Sequence, residues 1–372
     1  MIPVVYANID PAVTERIRRT LVAFRLLRTL VMDELVPKAA FVDLWPRIWS
    51  WTEFLDAHFE HLPLSPADIS SQYTVYMELY RLLLLNADAD MGASILETPG
   101  FFVMLGRAWS HLLRMEHTCG LHAFSAVLAL TKVGSNTTDA AYLRELTLGA
   151  GGSWTDLASH VVSHIRQACP DPNSPATPAG ILRLTGVVYY LISEALISYF
   201  DFRESLLEHG LVTALTIACR ALRKSTPSEE CDPNVSLQVI FGFFWRCFGQ
   251  PGSQKWIVQA IRSGLLLTLF SIPFPTDTEE LTKWRLRILE ENLPASTVYF
   301  SVLSQLRVSL DPADRAARLE GSYLESWLRF VELTGALTSL RACDHLECGK
   351  IHNKHRLRRC ARCLTSFYCS RL

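Results

Sequence analysis

A chain of 372 residues, 49% apolar and 20% charged, has enough hydrophobic material for one large domain or two to three smaller ones, which excludes wholesale disorder. Its formal net charge of −1 argues against whole-molecule attraction to nucleic acid or anionic lipid. That neutrality conceals an asymmetry. From Arg341 to Leu372 eight Lys/Arg stand against two Asp/Glu, so this stretch carries a net +6 and the remainder is mildly acidic.

The opening residues, Met1 to Pro11, hold no basic segment followed by an apolar one, so no secretory signal is expected. The longest apolar stretch, Leu184 to Ser193, is bounded by Arg183 and Glu194 and is too short to span a bilayer, and the run after Gly264 is cut by Pro273 and Pro275. The expected location is therefore intracellular, cytoplasmic or nuclear. In that reducing setting clustered cysteines read as metal ligands rather than disulfides.

Residues 1–335 read as helices nearly throughout. Val13 to Leu35 has a helical apolar period, and so has the Trp-rich stretch from Leu44 to Phe59. There Trp45, Ile48 and Trp49 recur at i, i+3, i+4 and predict a core seam, while Trp51 points off it and is left free for a groove. Asp10-Pro11, Ser65-Pro66 and Asp311-Pro312 each place a capping side chain before a proline suited to the first helical position. Val239 to Phe248 is apolar enough for a strand, but its helical neighbours favour a buried helix. After Asp311-Pro312, the residues Tyr323, Leu324, Trp327, Leu328 and Val331 share one predicted face. Alternating strand patterns with tight Asn-Gly or Asp-Gly turns are missing.

A weak repeat runs through these helices. Gly100, Gly152, Gly210 and Gly264 each begin a Gly-x4-Leu stretch at a helix start, with separations of 52, 58 and 54 residues. A glycine at such a junction lets the chain turn sharply from one helix into the next. Units of this size hold two or three stacked helices, as in armadillo- or HEAT-like solenoids, though the period is longer and looser than those families show. Both a regular solenoid and an irregular helical array fit.

Three features suggest chemistry in the helical region. His160 and His164 lie four apart, the spacing of a zincin, but Val161 stands where the water-activating Glu belongs, so a polar helix face is the preferred reading. Gly149-Ala-Gly-Gly152 lacks the Lys-Ser/Thr of a phosphate loop and reads as a helix–helix turn. Cys119, Cys169, Cys219, Cys231 and Cys247 are scattered singly and read as buried structural thiols. No catalytic residue emerges.

The other five cysteines cluster at the end of the sequence. Cys360 and Cys363 have the two-residue gap of a zinc knuckle, and Cys343 and Cys348 form a wider one that Gly349 helps to turn. Lys350, Arg358, Arg359 and Arg362 lie beside these thiols and favour thiolate. The pattern Cys343-x4-Cys348-Gly, an eleven-residue gap, Cys360-x2-Cys363 and then Phe367-Tyr368-Cys369-Ser370-Arg371 resembles a MYND-type zinc finger. The helical region, with its Leu44-Trp-Pro-Arg-Ile-Trp-Ser-Trp stretch, is similar to that of fungal, especially mushroom, MYND-finger proteins.

The resemblance implies two zinc ions held by interleaved ligand pairs. Cys343 and Cys348 would share one zinc with Cys369 and a cysteine expected one residue beyond Leu372. Cys360 and Cys363 would share the other with a later His and Cys. On this expectation the metal ligands are Cys343, Cys348, Cys360, Cys363 and Cys369, and the finger is truncated with both sites incomplete. Substitution by His345, His352 or His355, or the gathering of four cysteines on one zinc, are the alternatives.

The expected fold is thus all-α, an irregular armadillo/HEAT-like helical array over residues 1–335 with a small, incomplete zinc finger at 340–372. The expected function, by resemblance, is that of a zinc-binding adaptor that holds a protein or proline-containing peptide, with Cys360 to Tyr368 as the peptide-facing edge and the basic charge favouring acidic flanks. The expectation is of no enzyme and no membrane partner. A MYND-associated methyltransferase-like enzyme, or a non-specific nucleic-acid binder through the basic tail, are the rival readings.

Overall fold

In the computed structural model the protein is helical almost throughout. The structure describes residues 11–59, 64–134, 140–192, 199–228, 231–269, 278–297, 299–316, 321–342, 351–353, 358–359 and 367–368. The chain gathers into two compact units.

The first unit comprises Met1–Ala168, Leu182–Ala195 and Tyr199–His209. Its helices are α1 (Pro11–Met32), α2 (Phe41–His58), α3 (Pro66–Asn86), α4 (Ala89–Leu96), α5 (Phe101–Arg114), α6 (Thr118–Gly134), α7 (Ala140–Gly149) and α8 (Trp154–Ala168), followed by Phe200–Glu208. At the centre lies α3, which packs against α1, α4, α5 and α6. Its middle is buried on every side, from Tyr73 through Val75, Tyr76, Met77 and Leu79 to Tyr80 and Leu83, as a helix enclosed by other helices must be. It begins at a full capping box: Ser65 Oγ accepts from the Asp68 amide at 3.2 Å and Asp68 Oδ2 accepts from the Ser65 amide at 3.1 Å, with Pro66 as first helical residue. The expected seam of α2 is present: Trp45 and Ile48 are buried and Trp49 half-buried, while Trp51 is 40% exposed. Trp45 stacks edge-on to Tyr80 and Phe101, and its Nε1–H reaches Thr98 Oγ1 at 2.9 Å, which satisfies the indole in a buried place.

Helix α5 packs against α3, α6, α7 and α8. Its crossing with α7 depends on two glycines. A Cβ at Gly106 would lie 2.5 Å from Leu146 O, and one at Gly149 would overlap Val103 O, so only hydrogen atoms fit between the two backbones.

The second unit comprises Cys169–Ile181, Leu196–Ser198 and Gly210–Leu372. Here Pro233–Phe248 packs on Glu279–Arg287, Gln254–Arg262 packs on Phe300–Ala316, and Leu211–Leu222 touches the first and third of these. Val239 to Phe248 is helical, within an element opened by an Asp232 cap and Pro233. Arg285 is fully buried, and its Nη2 donates to Leu269 O at 2.6 Å, which satisfies a carbonyl at the end of the short helix Leu265–Leu269.

All four glycines of the repeat stand at helix starts with left-handed backbones: φ is +81° at Gly100, +96° at Gly152, +87° at Gly210 and +102° at Gly264. The leucines five residues on, Leu105, Leu157, Leu215 and Leu269, are each 0% exposed. The repeat is therefore a recurring junction: glycine supplies a turn that costs other residues about 1–2 kcal/mol, and leucine anchors the helix it opens.

Two expectations are corrected. No helix starts at Asp311-Pro312: the helix Phe300–Ala316 runs through it and the next begins at Gly321. Pro312 stands in the last two turns, where a missing N–H forfeits only the bond to the carbonyl of Val308, itself 71% exposed. The helix Gly321–Ser339 also buries a different face. Ser326, Trp327, Phe330 and Thr334 are inside while Leu324 and Leu328 are exposed. The polar members of the inner face are satisfied, Ser326 by Glu290 and Thr334 by the carbonyl of Phe330, so burial costs them little.

The strands are short. Antiparallel pairing joins β1 (Leu340–Ala342) to β2 (Ile351–Asn353) and β3 (Arg358–Arg359) to β4 (Phe367–Tyr368). Among the described residues no single helix is long and apolar enough to cross a membrane.

Candidate functional site

The first unit carries an open cleft of about 540 Å³, formed where the end of α2, the first turns of α3 and one face of α5 meet. The pattern of α5 explains the cleft. Phe101, Met104, Leu105, Ala108, Trp109 and Leu112 face inward, which leaves Arg107, Ser110, His111 and Arg114 in a polar column at i, i+3, i+4 and i+7. From α2 comes Asp56, from the residue that ends it Phe59, and from α3 Tyr73.

At the heart of the cleft is a carboxylate. Asp56, whose side chain is only 4% exposed, accepts the Tyr73 hydroxyl on Oδ1 at 2.8 Å and Arg107 Nη1 on Oδ2 at 2.7 Å. Burial, and then the Asp56 charge, hold the Tyr73 phenol far above its ordinary range, so it remains a hydrogen-bond donor. Arg107 is thereby fixed at one end of its guanidinium while half its side chain stays in solvent. Further along α5, His111 Nε2 lies 2.8 Å from Ser70 Oγ and 3.3 Å from Pro66 O. A carbonyl only accepts, so Nε2 carries the proton. Burial, with the Arg114 and His117 charges, lowers the pKa of this ring against the raising pull of Pro66 O, which keeps it neutral at neutral pH. Arg114 makes one long bond, Nε to Ser110 O at 3.3 Å. With two arginines, one aspartate and a neutral histidine, the cleft bears a net charge of +1.

The two histidines of α8 do not form a metal pair. His160 bonds the carbonyl of Asp156 through Nδ1 at 2.6 Å. His164 is not on a polar face, for it is fully buried. Trp109 Nε1–H donates to its Nδ1 at 3.0 Å and Ser125 Oγ lies 3.2 Å from its Nε2. This looks like a serine–histidine dyad, but the third member is inverted. A carboxylate behind the ring would stabilise imidazolium, whereas the indole N–H opposes it. Burial and the nearby Arg183 charge lower the His164 pKa to about 3, and the Ser125 hydroxyl is turned to the carbonyl of Leu121 at 2.9 Å. The network is a buried connector between α5, α6 and α8.

Cys169, Cys219, Cys231 and Cys247 are buried as expected, but Cys119 is exposed. Burial, then the neighbouring Cys169, pushes the Cys219 thiol up and away from thiolate. Gly149 to Gly152 is the turn between α7 and α8, as its composition suggests.

Cys343, Cys348, Cys360, Cys363 and Cys369 lie outside the described residues. What the structure places are the strands on either side of them. Ala342, at the end of β1, pairs with Ile351, at the start of β2, and Cys343 and Cys348 lie between them in the sequence. Arg359 pairs with Phe367, with Cys360 and Cys363 between them in the sequence, and Cys369 is the residue after β4. Among the described residues no three His, Cys, Asp or Glu side chains converge to hold a metal ion.

The cleft residues escaped the sequence reading. The polar column on α5 was legible as a period, but its partners Asp56 and Tyr73 lie 51 and 34 residues away and give no local sign. No family model, curated protein or solved structure matches the chain.

Proposed function

We propose that this protein is a zinc-binding interaction protein: an irregular armadillo/HEAT-like helical scaffold that carries a MYND-type module at residues 340–372. The observation that carries the reading is the spacing Cys343-x4-Cys348 and Cys360-x2-Cys363, each of which can offer two thiolates to one metal; the antiparallel strands that flank each pair in the sequence support it. The recurring left-handed glycine junctions support the scaffold half. Cys343, Cys348 and Cys369 would serve one zinc and Cys360 and Cys363 the other. The thiolates are the softest donors in the chain and suit zinc better than any hard cation. The bound partner would be a protein or proline-containing peptide along Cys360 to Tyr368, with acidic flanks matched to the +6 charge.

Cobalt(II) titration of the whole chain under reducing conditions tests the metal. Thiolate-to-cobalt absorption should appear, fall on addition of zinc and weaken in Cys343→Ser and Cys360→Ser variants. Absence of that absorption at millimolar cobalt would sink the reading. An equal spectrum in both variants would move the site elsewhere.

A further inference from the structure

We infer that the cleft of the first unit binds a carboxylate-bearing ligand, held by Arg107 and Arg114 against the aromatic wall of Phe59 and Tyr73. The inference rests neither on the cysteine-rich segment nor on a metal. Four observations carry it.

The first is the mounting of Arg107. Its Nη1 is held at 2.7 Å by the buried carboxylate of Asp56, which is itself fixed by the Tyr73 hydroxyl at 2.8 Å. A guanidinium has five N–H donors in a rigid plane. With one edge locked onto Asp56, the rest are presented to the cleft without the rotamer entropy that a loose surface arginine loses on binding. The second is Arg114, two turns along the same helix and about 10 Å away on its axis. Among the described residues it donates one long bond, from Nε to Ser110 O at 3.3 Å, which leaves the Nη groups for an incoming acceptor.

The third observation is the charge balance. Two arginines and one aspartate leave +1, so the cleft attracts an anion. A planar guanidinium fork pairs bidentately with a carboxylate, and two such side chains seven residues apart on α5 suit the two carboxyl groups of one ligand. The fourth is the apolar wall. Phe59 and Tyr73 are 6% and 5% exposed, pack edge to face at 5.0 Å and line the cleft beside the arginines. Their uncovered edges give the carbon chain of a ligand a small apolar contact. At about 540 Å³ the cleft has room for a dicarboxylic acid or an acidic side chain with its backbone.

The carboxylate has two sources, a free acid or a Glu/Asp side chain of a peptide, and the test separates them. Isothermal titration of the full chain would use glutarate, an N-acetylated and C-amidated triglutamate, and inorganic phosphate. Binding of glutarate identifies a free acid, and binding of triglutamate alone identifies a peptide; either supports the inference. In both cases Arg107→Gln and Arg114→Gln should each weaken binding tenfold or more; Arg114→Gln should leave thermal unfolding unchanged, since that side chain is exposed, while Arg107→Lys, which keeps a cation beside Asp56 but loses the planar fork, should weaken binding without the cost of an unpaired Asp56. The inference is overturned if neither carboxylate binds at millimolar concentration, if phosphate binds more tightly than both, or if the arginine variants bind as the parent does.

Discussion

The buried imidazole of His164 should make this protein acid-labile by a calculable amount. The ring accepts the Trp109 indole N–H, lies beside buried Arg183 and has no exposure to water, so its pKa falls from the ordinary 6.5 to about 3. In the unfolded chain the ring recovers its ordinary value. Above pH 6.5 it is neutral in both states and contributes no pH dependence. As pH falls below 6.5 the unfolded state takes up a proton that the folded state refuses, and stability drops by about 1.4 kcal/mol per pH unit. The loss reaches about 3 kcal/mol two units below the ordinary value and levels off near pH 3 at about 5 kcal/mol, a large share of a typical domain's stability. The pKa values of His111 and His122 are lowered too, in both cases by burial first, and act in the same direction. The measurement is therefore a difference. Urea unfolding of the parent and of His164→Gln should be followed by tryptophan fluorescence from pH 7.5 to 4.5. The gap between the two stabilities should shrink on acidification at roughly the slope above, because glutamine does not titrate. A gap independent of pH, or a His164 ring proton that titrates near 6.5 by NMR, would refute the reasoning.

Two further outcomes follow from packing. Gly149→Ala should cost about 1–3 kcal/mol or more, since the new methyl meets the backbone of Val103 and not a yielding side chain; the same change at Gly152, where no atom lies within 4 Å, should cost only the strain of its φ of +96°. Differential scanning calorimetry of the two variants distinguishes overlap from strain, and equal shifts would contradict the tight α5–α7 crossing. Trp45→Ala should destabilise the first unit by about 3–5 kcal/mol, whereas Trp51→Ala, at 40% exposure, should change stability by about 0.5 kcal/mol or less. Chemical denaturation reads both, and a costly Trp51→Ala would show that this ring is covered.

Much of the fold was written in short range. The helical period of Leu44 to Phe59 places Trp45 and Ile48 inside and Trp51 outside, because a 3.6-residue repeat sorts side chains by angle alone. Ser65-Pro66 starts a helix and the glycines at 100, 152, 210 and 264 turn left-handed, because capping and chirality act within a few residues. The same local logic failed at Asp311-Pro312, where a good starting pair sits inside a helix, and in Gly321–Ser339, where Leu324 and Leu328 are as apolar as Trp327 yet remain outside. Which apolar residues win burial there depends on what stands opposite, and Glu290, 36 residues before Ser326, is part of that answer.

The chemistry followed the same division. His160 and His164 are equivalent to any reading of spacing, but only the crossing of α5, α6 and α8 puts Trp109 and Ser125 on either side of one of them. The cleft is likewise a product of tertiary structure: Arg107 and Arg114 share a face by periodicity, while Asp56 and Tyr73 reach them only because two other helices end or begin there. Sequence alone determined the helical class and the glycine junctions, both of them matters of neighbouring residues. Tertiary structure decided which histidine is neutral, which leucines are dry and which arginine is held ready, because burial and charge act through space and take no account of distance along the chain.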